Sequence, residues 1–101
     1  MTVYYTQLIF LSEGQEDSFL EFEDRVLPLL AKYNGELIYR VRPSAVDVIE
    51  TSVGHPYEVH LISFQSREDF DGYAQDPERQ KHLGLKDAAV DRVILIEGAA
   101  I

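Results

Sequence analysis

One hundred and one residues, 46 % hydrophobic and 27 % charged, suit one folded domain, 1–101, with its own core. Eighteen acidic against nine basic side chains leave a net charge of −9; phosphate backbones and anionic lipid surfaces repel such a chain, which argues against nucleic-acid and membrane partners. Cysteine is absent, which excludes disulfides, thiolate nucleophiles and cysteine-ligated zinc.

The first run, Val3 to Leu11, is rich in β-branched and aromatic residues and predicts a strand that Glu13-Gly14 ends. It is too short to span a bilayer and lacks the basic start and small-residue cleavage site of a signal peptide, so a cytoplasmic location is expected. From Glu16 to Tyr33, Phe19, Phe22, Val26, Leu29, Leu30 and Tyr33 recur at helical spacing. The acids Glu13, Glu16, Asp17, Glu21, Glu23 and Asp24 read as a solvated helix face, with an interaction patch as the alternative. Glu21 and Arg25 are spaced to pair. Pro28 predicts a kink, because it removes a backbone donor and crowds the carbonyl of Asp24. Asn34-Gly35 is a stop, since both residues tolerate a left-handed cap.

Glu36 to Arg42 predicts a strand with Leu37, Tyr39 and Val41 on one face and Ile38, Arg40 and Arg42 on the other. Ala45 to Val53 is again β-like and reads as an extended arm. Gly54-His55-Pro56 marks a turn before a third strand, Tyr57 to Phe64. Ser66 with Asp69 opens a second helix, whose buried stripe is Phe70, Tyr73 and Ala74. Asp76-Pro77 begins a further short helix carrying Leu83 and Leu85, with Gly84 as its weak point. Arg92 to Glu97 is the fourth strand, ended by Gly98.

The order β-α-β-β-α-β predicts an α+β fold, the ferredoxin-like antiparallel sheet with its helices on one face. The uncovered face should then be polar. Yet Leu8-Ile9-Phe10-Leu11 and Val93-Ile94-Leu95-Ile96 are apolar at every position. The simplest cover is a second copy of the chain, a homodimer joined sheet to sheet.

Phe64-Gln65-Ser66, Tyr73, Asp76-Pro77-Glu78 and the ending Val93-Ile94-Leu95-Ile96-Glu97-Gly98 carry a resemblance. With their order and spacing, the chain from Tyr4 to Gly98 resembles the dimeric α/β-barrel superfamily, and within it a small bacterial branch classed only as a domain of unknown function. Two positions depart from that branch: Arg79 stands where an aromatic residue is usual, and Lys86 where an arginine is. The resemblance implies a dimeric α/β barrel with a pocket between sheet and helices. The superfamily includes heme-degrading and quinone-forming monooxygenases, chlorite dismutase-like proteins, muconolactone isomerases and many proteins without known activity. Several of its oxygenases work without a bound cofactor. Were Arg79 and Lys86 to line the pocket, the ligand here would differ from that of other members.

Several side chains could carry chemistry. His60 shares a strand face with Ile62 and Phe64 and could be a general base, or a core or interface histidine with one satisfied hydrogen bond. Tyr5 (beside Gln7 on its strand face) and Tyr39 could orient a carbonyl or phenol, or simply pack. Tyr73, Arg79 and His82 could hold a carboxylate together; the alternative is a surface group in which Glu78 reaches His82. Arg40 and Arg42 could bind an anion, guard an edge strand or pair with acids across a dimer. His55, His60 and His82 lie on a loop, a strand and a helix without metal-motif spacing, and no glycine-rich phosphate loop or nucleophile elbow is present. No metal and no cofactor are therefore expected. Three functions follow as expectations: a binder of a small apolar or aromatic molecule, a cofactor-independent monooxygenase or isomerase with His60 as base, or a structural or regulatory dimer without a ligand.

Overall fold

The structure, a computed structural model, describes residues 1–101. Four strands, β1 (Val3–Leu11), β2 (Gly35–Val41), β3 (Glu58–Phe64) and β4 (Val90–Gly98), form one sheet in the order β2-β3-β1-β4. Every neighbouring pair is antiparallel. The helices are α1 (Glu16–Val26), α2 (Arg67–Ala74), α3 (Pro77–Lys81) and α4 (Leu83–Ala89). This is the ferredoxin-like arrangement that the element order predicts. No helix is long and apolar enough to cross a membrane.

The alternation of β1 and β3 decides which residues meet the helices. Tyr5 and Ile9 of β1 and Ile62 and Phe64 of β3 turn inward and are buried. Tyr5, Leu30, Ile62, Phe64 and Tyr73 form one cluster, with Phe70 packed against it; Ile9, Phe19 and Ala89 form a second. The ring of Phe70 stacks on Tyr5 at 4.1 Å between centroids. Each such ring contributes roughly 1.5–3 kcal/mol by leaving water. The opposite face carries Tyr4, Leu8, Leu61, Ile94 and Ile96 with no helix over it, and Ile96 remains 54 % exposed.

Local chemistry sets the element ends. Pro28 does more than kink the first helix. The α-helical pattern stops at Val26, and Leu27–Tyr33 continues as a tighter 3₁₀ helix with the proline in its first turn. Proline there withholds no needed donor, whereas in an α-helix interior it would. Asn34 caps the segment at φ 57°. Gly35 is required by close approach: a Cβ there would sit 2.8 Å from the Phe64 ring and 3.0 Å from the Leu30 carbonyl oxygen.

Two expectations need correction. Ala45 to Val53 is not an extended arm. Ser44 and Asp47 form a capping box that winds Ala45–Asp47 into a 3₁₀ turn, with the Ser44 N–H donating to Asp47 Oδ2 at 2.9 Å. The simple alternation of β2 also fails. Its register against β3 shifts between Leu37 and Tyr39, so Leu37 and Arg40 face the helices while Tyr39 and Val41 face away. The later helical segment divides at His82, two residues before Gly84.

Candidate functional site

The shift in β2 builds the polar end of the site. It sets Arg40 opposite His60 on the helix side of the sheet; an unbroken register would have turned Arg40 to the other face. Glu58 and His60, two residues apart on β3, share that side and are 0 % and 1 % exposed. Arg40 grips the Glu58 carboxylate with two hydrogen bonds, Nε to Oε1 at 2.7 Å and Nη2 to Oε2 at 3.0 Å. Arg42 Nε donates to Oε2 at 2.5 Å. Burial alone would raise the Glu58 carboxyl, but the hydrogen bonds from His60, Arg40 and Arg42 overcome it and bring it down to about 2. Glu58 is thus an anion, so His60 Nε2, 2.7 Å from Oε1, carries a proton and donates.

Glu23 completes the cluster from α1. It lies four residues after Phe19 and three before Val26, on the buried stripe of the helix. Its Oε2 is 3.8 Å from His60 Nε2 and has no hydrogen-bond partner. Burial pushes its carboxyl up to about 7, against the opposing pull of His60 and Arg40. Two buried carboxyl groups therefore flank one histidine with their pKa values driven apart.

In front of this cluster is a cavity of about 220 Å³. Its floor includes Gln7 and Ile62 from the sheet, and its roof Phe22, Val26, Phe70 and Tyr73 from the helices. Arg79 and Lys86 enter from α3 and α4. The guanidinium of Arg79 lies 5.2 Å from the Tyr73 ring centroid and 5.8 Å from that of Phe22. Its buried Nε has no partner. Asp76 sets its position: the carboxylate caps α3 through the backbone N–H groups of Glu78 and Arg79 and receives the Tyr33 hydroxyl and the Lys32 ammonium. Those donors hold the Asp76 carboxyl well below the usual carboxylate range.

His60, Tyr73 and Arg79 come together on this cavity. Tyr5, Tyr39 and His82 lie elsewhere. The Tyr5 hydroxyl donates to Glu97 Oε1 at 2.6 Å. Tyr39, on the open sheet face, is 45 % exposed. His82 Nε2 stands 3.8 Å from Glu78 Oε2. Arg40 and Arg42 pair within the chain, on Glu58. Glu23, taken with its neighbours as solvated, is buried at 5 % exposure. It and Glu58 are the members of this buried cluster that the acidic composition concealed. Glu23, Glu58 and His60 offer ligand atoms within 4.8 Å of one another. They are poorly suited to a cation, because both Glu58 oxygens are held by guanidinium groups and His60 Nε2 donates to the same carboxylate.

No family model matches the chain, and no curated protein sequence matches it. Solved structures share the fold. A protein of unknown function from Rhodopseudomonas palustris superposes with a TM-score of 0.84 at 15 % identity, over 99 % of this chain and 82 % of that one. A dimeric ferredoxin-like protein of unknown function from Jannaschia sp. CCS1 gives 0.74 at 21 %, over 99 % and 100 %. A dabb family protein with a ferredoxin-like fold from Mesorhizobium loti gives 0.73 at 12 %, over 99 % and 97 %.

Proposed function

We propose that this chain binds a small, largely apolar molecule between its sheet and its helices, and does so as a homodimer joined through the open sheet face. The cavity carries the first part of the reading. It is apolar along its walls and polar at one end, the pattern of a ligand site rather than of a core void. An apolar cavity of about 150 Å³ accepts benzene, so 220 Å³ suits one ring with a small substituent. The uncovered apolar face, where Tyr39, Val41 and Ile96 are each more than two-fifths exposed, supports the second part. The description of the Jannaschia protein as dimeric is in keeping with it.

The test is thermal denaturation with one-ring aromatic alcohols and acids. A molecule that binds only the folded state raises the melting temperature by mass action, about 2.7 kcal/mol at a hundredfold excess over its dissociation constant. Ala74→Leu, which fills part of the cavity, should remove that rise while leaving the unliganded protein folded. A rise that survives Ala74→Leu unchanged would place binding elsewhere.

A second reading, a cofactor-independent isomerase or monooxygenase, is favoured by the flanking of His60 with one raised and one depressed carboxyl, an acid–base pattern. In it His60 or Glu23 removes a proton from the bound molecule. Because His60 Nε2 is committed to Glu58, Glu23 is the group with a free oxygen. Incorporation of solvent deuterium into a bound ligand, lost in Glu23→Gln, is the expected sign; a ligand recovered without deuterium would leave the protein a binder.

A further inference from the structure

We propose that the ligand is a small apolar carboxylate, held at its anionic end by Arg79 and Lys86 with one oxygen hydrogen-bonded to the Glu23 carboxyl. The inference rests on the pocket reading above and names its ligand class.

The two buried side-chain polar atoms without a hydrogen-bond partner are Glu23 Oε2 and Arg79 Nε, and both residues line this one cavity. A folded chain rarely leaves such atoms orphaned without something to complete them. A single ligand that completes both atoms has to accept from a guanidinium N–H and pair with a carboxyl group. A carboxylate does both: it accepts from the guanidinium, for which its geometry is matched, and it accepts an O–H from a neutral carboxyl in a short charge-assisted bond.

Charge points the same way. The protein carries −9 overall, yet two cations, Arg79 and Lys86, line the cavity. Neither takes part in an ion pair. The other buried anions are already neutralised, Glu58 by Arg40 and Arg42 and Asp76 by Lys32. The opening in front of Glu23 therefore holds unbalanced positive charge, and a monoanion offsets it. Eleven of the sixteen lining residues are hydrophobic, so the rest of the ligand is apolar.

Binding should then be linked to protons. Glu23 is faced by His60 and Glu58 from β3 and Arg40 from β2, with Arg79 from α3, and it shares the cavity with Tyr73 of α2 and Lys86 of α4. With its carboxyl near 7, about half is ionised at neutral pH. An arriving carboxylate repels the ionised form and drives proton uptake.

Calorimetric titration of the whole protein with benzoate, and with benzyl alcohol as its neutral counterpart, tests this. Near pH 7, runs in two buffers of different ionisation enthalpy should show proton uptake with benzoate and none with the alcohol. Benzoate affinity should fall about thirtyfold between about pH 6 and about pH 8.5 as Glu23 ionises. Glu23→Gln should bind benzoate alike at both, without proton uptake. Arg79→Gln should lose benzoate while keeping the alcohol. Benzyl alcohol binding as tightly as benzoate, with no proton uptake, would overturn the ligand class and leave the pocket standing. Failure of wild-type protein to bind either molecule would overturn the pocket reading and this inference with it.

Discussion

Replacing Glu23 by glutamine should make the protein more stable at neutral and alkaline pH. In the folded chain the Glu23 carboxyl titrates near 7, against about 4.3 when unfolded. The folded state therefore binds this proton more tightly. The stability it contributes is fully present below about pH 4.3 and is lost as the pH rises through 7. A gap of about 2.7 units at ~1.4 kcal/mol per unit is ~4 kcal/mol. Glutamine has nearly the shape of the protonated side chain and never ionises. The variant and the wild type should match near about pH 4, and the variant should be ~4 kcal/mol more stable by about pH 8. Urea unfolding at a series of pH values and one fixed protein concentration measures this difference directly. Parallel stability curves for the two proteins between about pH 4 and about pH 8 would refute the placement of Glu23 in a dry site.

Glu58 should behave oppositely: Glu58→Ala leaves Arg40, Arg42 and His60 without their shared partner and should cost about 3–5 kcal/mol in urea unfolding. Its carboxyl is held down near 2, so the stability it contributes is present above about pH 4.3 and is lost as acid approaches that lower value; acid titration of the variant should lack this component. Asp76→Ala removes the cap of α3 together with the anchor of Tyr33 and Lys32; about 1–2 kcal/mol should be lost from the cap alone, with amide exchange rising first in Pro77–Lys81. Ile96→Glu places a charge on the open sheet face and should convert a dimer to a monomer by light scattering. Elution of the wild type as a monomer would remove the dimer from the account.

Much of the fold was legible because its signals are local. Asp76-Pro77 and Ser66 with Asp69 specify helix starts through their own hydrogen bonds. Asn34-Gly35 specifies a stop. The apolar stripe of α1 runs at helical spacing into the core. The segment Ala45 to Val53 misled because its β-branched residues suit a strand, while the Ser44–Asp47 box turns the chain before it can pair. The register shift in β2 has no signature at Ile38, neither glycine nor proline, yet it brings Arg40 onto Glu58.

The site was half visible. His60, Tyr73 and Arg79 were legible as polar groups at inward or helix-side positions. Glu58 stood two residues before His60 on the same strand face, a period-2 signal that an acid at a strand's start makes easy to overlook. Glu23 was hidden by its company. Among five other acids it resembled solvated surface, although its spacing from Phe19 and Val26 put it on the buried stripe. Tyr5 and Tyr39 were plausible by residue type, but one hydroxyl is spent on Glu97 and the other side chain is on the far face.

Methyl-resolved NMR of protein labelled at isoleucine, leucine and valine, titrated with a one-ring aromatic ligand, tests the central claim most directly. Occupancy of the cavity predicts shifts at Val26, Leu27 and Ile62, which line it, and none at Leu8, Leu61 or Ile96 on the opposite face. Shifts confined to Leu8, Leu61 and Ile96, or none at any methyl at saturating ligand, would contradict a pocket between sheet and helices.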